Sequence, residues 1–100
     1  MTISKIIAQR LQSDGARYWA GDNISQYINE DEYPLLIDEL TGKFEDVLDS
    51  LVIDRHNDPN SMDTGRRLAK MYVGEIMAGR YDPAPKATAF PNDSDDKYEG

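Results

Sequence analysis

The chain has 100 residues, 39% of them hydrophobic, no cysteine and a formal net charge of -8. Disulfides and thiolate metal ligands are therefore excluded, and the acidic balance excludes general nucleic-acid binding, because phosphate backbones attract basic surfaces. This length makes one small domain or part of a larger one, with an apolar fraction low enough that its core could be completed by other chains.

The opening "MTISKIIAQRLQSDGARYWAG" has no long apolar stretch, so no secretory leader is expected. No run approaches the apolar length of a membrane helix, and a soluble cytoplasmic protein is the default. Ile3, Ile6, Ile7 and Leu11 fall at helical spacing, with Thr2 or Ser4 as cap and Gly15 as stop. In "ARYWAGDNISQYINEDEYP" the turn signal "AGDN" precedes a short helical piece expected near residues 24–29. Tyr18 and Trp19 are read as packing a core or subunit contact rather than stacking on a ligand.

The best helix is expected at 34–52. Leu36, Leu40, Phe44, Val47, Leu48 and Leu51 form its apolar stripe, and Pro34 suits its first turn. Asp38, Glu39, Glu45, Asp46 and Asp49 are read as its solvated face. In "DRHNDPN" three polar residues alternate like the start of a calcium loop, but the turn glycine and closing glutamate are missing. His56, the only histidine, is read as an exposed loop residue. A further helix is expected at 63–78, capped by Asp63 or Thr64 and stopped by Gly79. Leu68, Tyr72, Val73, Ile76 and Met77 would be its buried stripe, with Met71 and Met77 as core filler. Beyond it, "DPAP" favours extended backbone, "KATAF" is a possible strand, and residues 93–100 read as an acidic loop or frayed end.

Charge is unevenly spread. Residues 1–60 carry twelve Asp/Glu against five Lys/Arg, whereas residues 61–92 carry three against five. Arg66, Arg67 and Lys70 concentrate this positive block near a helix start, where unpaired N–H groups already favour an anion. Arginine brings a bidentate fork for phosphate oxygens and lysine a compact charge. On spacing alone the three would simply pair with acidic faces elsewhere. One histidine and no cysteine cannot build a Ser/His/Asp or Cys/His set, and no glycine-rich phosphate loop is present.

The stretch from Glu39 to Asp93 resembles the N-terminal part of GTP cyclohydrolase I. The matching features are the "DT" cap, the helix "RLAKMYVGE", the exit "GRYDP" and the following "FPN". The resemblance implies an α+β tunnelling-fold subunit. On that reading residues 1–33 are a variable N-terminal helical extension and residues 34–92 the family's helical segment and start of the sheet. The family converts GTP to dihydroneopterin triphosphate and formate in a homo-oligomer whose active sites lie between subunits. By the same resemblance, Arg67 and Lys70 reach the triphosphate of GTP bound mainly by a neighbouring subunit, while Arg66 stays a surface residue. The family's zinc is held by two cysteines and a histidine downstream of "FPN", so no catalytic residue, metal ligand or cofactor is expected within these residues. The fold expected for this stretch is mainly α: N-terminal helices and then extended chain. Two other readings are a non-catalytic relative that binds full-length cyclohydrolase subunits, and a small acidic helical binding protein.

Overall fold

The computed structural model describes residues 1–83. It is mainly helical, and no strand occurs among the described residues. Helix α1 spans Ile3–Ser13, α2 Tyr33–Ser50, α3 Thr64–Met71 and α4 Ala78–Tyr81. Single 3₁₀ turns lie at Ser25–Tyr27 and Glu30–Glu32, and a π-helical turn at Tyr72–Ile76 joins α3 to α4. The sheet expected after "DPAP" lies outside the described residues. Among the described residues, no helix is long and apolar enough to cross a membrane.

α1 forms where expected. Its C-terminus closes with Gly15 in the left-handed region at φ 65°. There the Ala16 N–H donates to the Leu11 carbonyl at 2.9 Å and the Gly15 N–H to that of Gln12 at 3.1 Å. Glycine reaches this conformation without a Cβ penalty, which is why it ends helices this way. The N-terminus differs from expectation. Thr2 makes no side-chain cap bond. Instead the Glu39 carboxylate, projecting from α2, accepts the Ser4 N–H at 3.0 Å and also the Ser4 hydroxyl. One residue of the supposedly solvated face of α2 therefore caps α1, where its negative charge meets the positive end of the helix.

Ile7 and Leu11 of α1 pack with Ile24 and Ile28 from the segment of short turns, and Tyr27, Tyr33 and Tyr81 close around them. α4 is held to this N-terminal region by polar contacts. Arg80 donates to the Trp19 carbonyl at 2.6 Å, the Ile24 N–H donates to the Arg80 carbonyl at 2.8 Å, and the Tyr33 hydroxyl donates to that of Tyr81 at 2.6 Å. Asn23 adds side-chain donations to the Gly79 and Asp82 carbonyls.

α2 packs on α3 through small residues. Gly65, Ala69 and Val73, four apart in sequence, are buried. A Cβ at Gly65 would come within 2.8 Å of Glu45 Cγ and 3.2 Å of the Thr41 carbonyl. Glycine is thus required by the close approach of the two helices. The expected stripe is corrected here. Val73 is buried and Leu68 half-buried, but Tyr72 and Ile76 are exposed. The π turn, which begins at Tyr72, widens the winding and shifts the residues after it, Ile76 among them, off a 3.6-residue register. Tyr72 stacks on Phe44 with ring centroids 5.2 Å apart. Gly79 does not stop the helix either. It lies within α4, which ends at Asp82, whose extended backbone is what a following proline imposes.

α2 ends two residues before its expected limit. The Val52 N–H donates to the Asp49 carbonyl and the Ile53 N–H to that of Leu48, the same closure that Gly15 gives α1. Here the left-handed position, at φ 64°, is occupied by a β-branched residue. That costs strain which glycine would avoid. Val47 and Leu51, expected on the buried stripe, are exposed, whereas Leu36 and Leu48 are buried.

The best-built ion pair joins α1 to the start of α2. Arg10 donates to both Glu32 oxygens at 2.6 and 2.7 Å and to the Tyr27 carbonyl at 2.9 Å, while the Asn29 N–H donates to Glu32 at 2.8 Å. The guanidinium, and then the Asn29 N–H, pull the Glu32 carboxyl down from 4.5 to about 2. A carboxyl depressed on folding stabilises the fold fully above its unfolded pKa and loses that contribution as pH falls through its folded value. Stability should accordingly drop between about pH 4.5 and pH 2. Glu32→Gln should flatten that part of the profile while lowering stability at pH 7, as read by urea denaturation across pH.

Candidate anion-binding groove

The three cations singled out in the sequence have different surroundings. Arg66 donates to Asp38 of α2 at 2.8 Å. Its charge is met within the fold, as exposed pairs often are. Among the described residues the Arg67 side chain reaches only the Thr64 hydroxyl, at 3.3 Å. Among the described residues neither Arg67 nor Lys70 enters an ion pair.

Arg67 and Lys70 line one open groove of ≈ 430 Å³ along α3 and the π turn, together with Thr64, Leu68, Met71 and Glu75. The helix dictates this set: residues three or four apart share a face, and Thr64, Leu68, Met71 and Glu75 follow that spacing. Leu68 and Met71 supply apolar lining, Thr64 a hydroxyl, and Arg67 and Lys70 two positive charges. Glu75 reduces the excess of positive charge in the groove. This lining set was legible in the spacing, although the sequence reading singled out only its cations. α3 proves only eight residues long, so Lys70 sits in its last turn rather than near its start. A cation there is favourable to the helix, whereas one in the first turn is not. Chemically, the groove offers a bidentate fork and an ammonium to a multiply charged anion.

Other candidates separate from this groove. His56 is exposed in the loop after α2, as read from the sequence. Among the described residues no three His, Cys, Asp or Glu side chains converge on a metal position. The chain, without cysteine, does not fit the two-cysteine, one-histidine zinc centre of the family it resembles.

Trp19 is not part of the core. It is 69% exposed, with the Arg17 guanidinium 4.3 Å from its ring centroid. Arg17 is itself held in a two-pronged pair with Asp22, which also accepts the Trp19 N–H at 2.8 Å. The pair with Arg17 keeps the Asp22 carboxyl below its ordinary range. This turn, held by Arg80 through the Trp19 and Asp22 carbonyls, presents an indole to solvent.

Compared with models of protein families, with curated proteins and with solved structures, the chain matches none.

Proposed function

We propose that this chain is the triphosphate-gripping part of a GTP cyclohydrolase I-type subunit, in which Arg67 and Lys70 hold the phosphate tail of GTP whose base is bound by a neighbouring subunit. The observation that carries this reading is the contrast along α3. Arg66 is neutralised by Asp38, while the two cations named by the family pattern share an open groove that Glu75 also lines, and among the described residues neither enters an ion pair. Phosphate oxygens match such a pair in charge and geometry. The chain's own residues would bind and orient the phosphates, and the ring-opening chemistry would be performed by groups outside them. The oligomer and the tunnelling fold belong to this proposal, as does a cytoplasmic location.

The test is calorimetric titration of the protein with GTP and with guanosine. GTP should bind more tightly than guanosine, and Arg67→Ala and Lys70→Ala should each weaken GTP binding while Arg66→Ala leaves it unchanged. Equal effects at all three positions, or none at Arg67 and Lys70, would overturn the assignment.

The presented Trp19 favours a second reading, a non-catalytic module that binds full-length cyclohydrolase subunits, because rigidly held tryptophans are frequent anchors of protein interfaces. Trp19→Ala should then abolish co-sedimentation with such subunits and leave GTP binding intact.

A further inference from the structure

We infer that the indole of Trp19 is a docking platform for the chain's own proline-rich segment, with the ring of Pro85 seated on it. The indole is 69% exposed but held in one orientation. The Arg17 guanidinium lies over one face of the ring, 4.3 Å from its centroid. Asp22 fixes that guanidinium through two bonds and the Trp19 N–H through a third. The cation covers one face, so among the described residues the exposed area belongs to the edge and the opposite face. A cleft of ≈ 300 Å³, lined by Ala16, Arg17, Tyr18 and Trp19, lies beside the ring. Ordering a large apolar side chain costs rotamer freedom, and only cover over the ring offsets that cost.

The path of the chain supplies the occupant. Asp82, the residue after α4, has φ -71° and ψ 137°, which is the polyproline II conformation. Its carbonyl accepts from Asn23 at 2.7 Å, and Arg80 donates to the Trp19 carbonyl at 2.6 Å. The chain therefore leaves from beside the Trp19 turn already wound as proline-rich ligands are wound. The residues that follow Asp82 are "PAP", Pro83 to Pro85. At about 3.1 Å per residue, continued winding carries Pro85 roughly 9 Å beyond Asp82. That span is short enough to stay near an indole four positions from Asn23. Proline-rich segments dock on aromatic side chains, and one preset in polyproline II loses little freedom on docking. A pyrrolidine ring also asks no hydrogen bond of the apolar face that it covers.

The contact rests on neither reading of the function, and its test contains neither nucleotide nor cyclohydrolase. Trp19 is the only tryptophan, so the fluorescence of the full chain reports it alone. Acrylamide should quench the parent less readily than free tryptophan. Pro85→Gly should raise the quenching and move the emission to longer wavelength, while Pro91→Gly, the same change farther along the segment, leaves both as they are. A second readout needs no change to the segment. In the NMR spectrum of the full chain the indole ring current should move the Pro85 ring protons upfield, and Trp19→Leu should abolish that shift. An indole quenched as readily as free tryptophan, or Pro85 protons without the shift, would overturn the inference. So would shielding that survives Pro85→Gly, or shielding that grows with protein concentration, as cover by a second copy requires.

Discussion

Leu11→Ala should lower the unfolding free energy by about 2–5 kcal/mol, the range for deleting a fully buried leucine side chain. Leu11 is 2% exposed and sits in the cluster with Ile7, Ile24 and Ile28. That cluster is built from α1 and a segment with little regular hydrogen bonding, so few other contacts can close the void. For a domain of this size the expected fall in Tm is roughly 10 °C or more. Urea denaturation should show a lower midpoint with an unchanged slope, meaning that the native surface is the same and only its stability has changed. Leu51→Ala is the control. At 63% exposure it removes a side chain that the dilute monomer has not buried, and its midpoint should hardly move. Equal losses at the two positions would mean that the core is not where α1 meets residues 24–28.

Reversing both groove charges, Arg67→Glu with Lys70→Glu, should have the largest effect on ligand binding. If each cation makes a charge-assisted bond to phosphate worth about 1.5–3 kcal/mol, their joint loss weakens GTP binding by roughly two orders of magnitude or more. Two new carboxylates beside Glu75 add repulsion to that loss. Stability should fall only by the small helix-end contribution of Lys70, because among the described residues neither side chain enters an ion pair. A nearly matched Tm with lost binding separates a recognition role from a structural one. Arg66→Glu supplies the opposite pattern, confronting Asp38 with a like charge while leaving the groove lining intact.

Much of the helical framework was legible from periodicity. The spacing of Ile3, Ile7 and Leu11 places α1, Pro34 marks the first turn of α2, and "SDG" marks a stop that glycine makes at low cost. The failures have physical causes. A period of 3.6 predicts burial of Ile76, but the π turn that begins at Tyr72 changes the register after it, and no local residue announces it. Val47 and Leu51 are apolar at the right spacing, yet spacing cannot say how far a covering helix extends. Glu39 looked like one carboxylate among many, because a cap supplied from thirty-five positions away leaves no local signature. The groove was half legible. Arg66, Arg67 and Lys70 stand out together by charge and the family resemblance alone sets Arg66 apart; its physical partner, Asp38, is brought near only by the packing of α2 on α3. Trp19 reads as a core or subunit contact, and only the core half fails: the Arg17–Asp22 brace that holds the indole outward is visible only in three dimensions.

The hold of α4 on the N-terminal turn bears on the order in which the molecule assembles. Arg80 and the Trp19 carbonyl are 61 positions apart, and the intervening chain contains both α2 and α3. Closing so long a segment carries an entropic cost before any return, so this latch should form after the helices have docked. Its loss should then act on one kinetic limb. Arg80→Ala should speed unfolding and leave the refolding rate nearly unchanged. The last turn of the described chain would thus govern how long the native state lasts, and hardly at all how quickly it is reached.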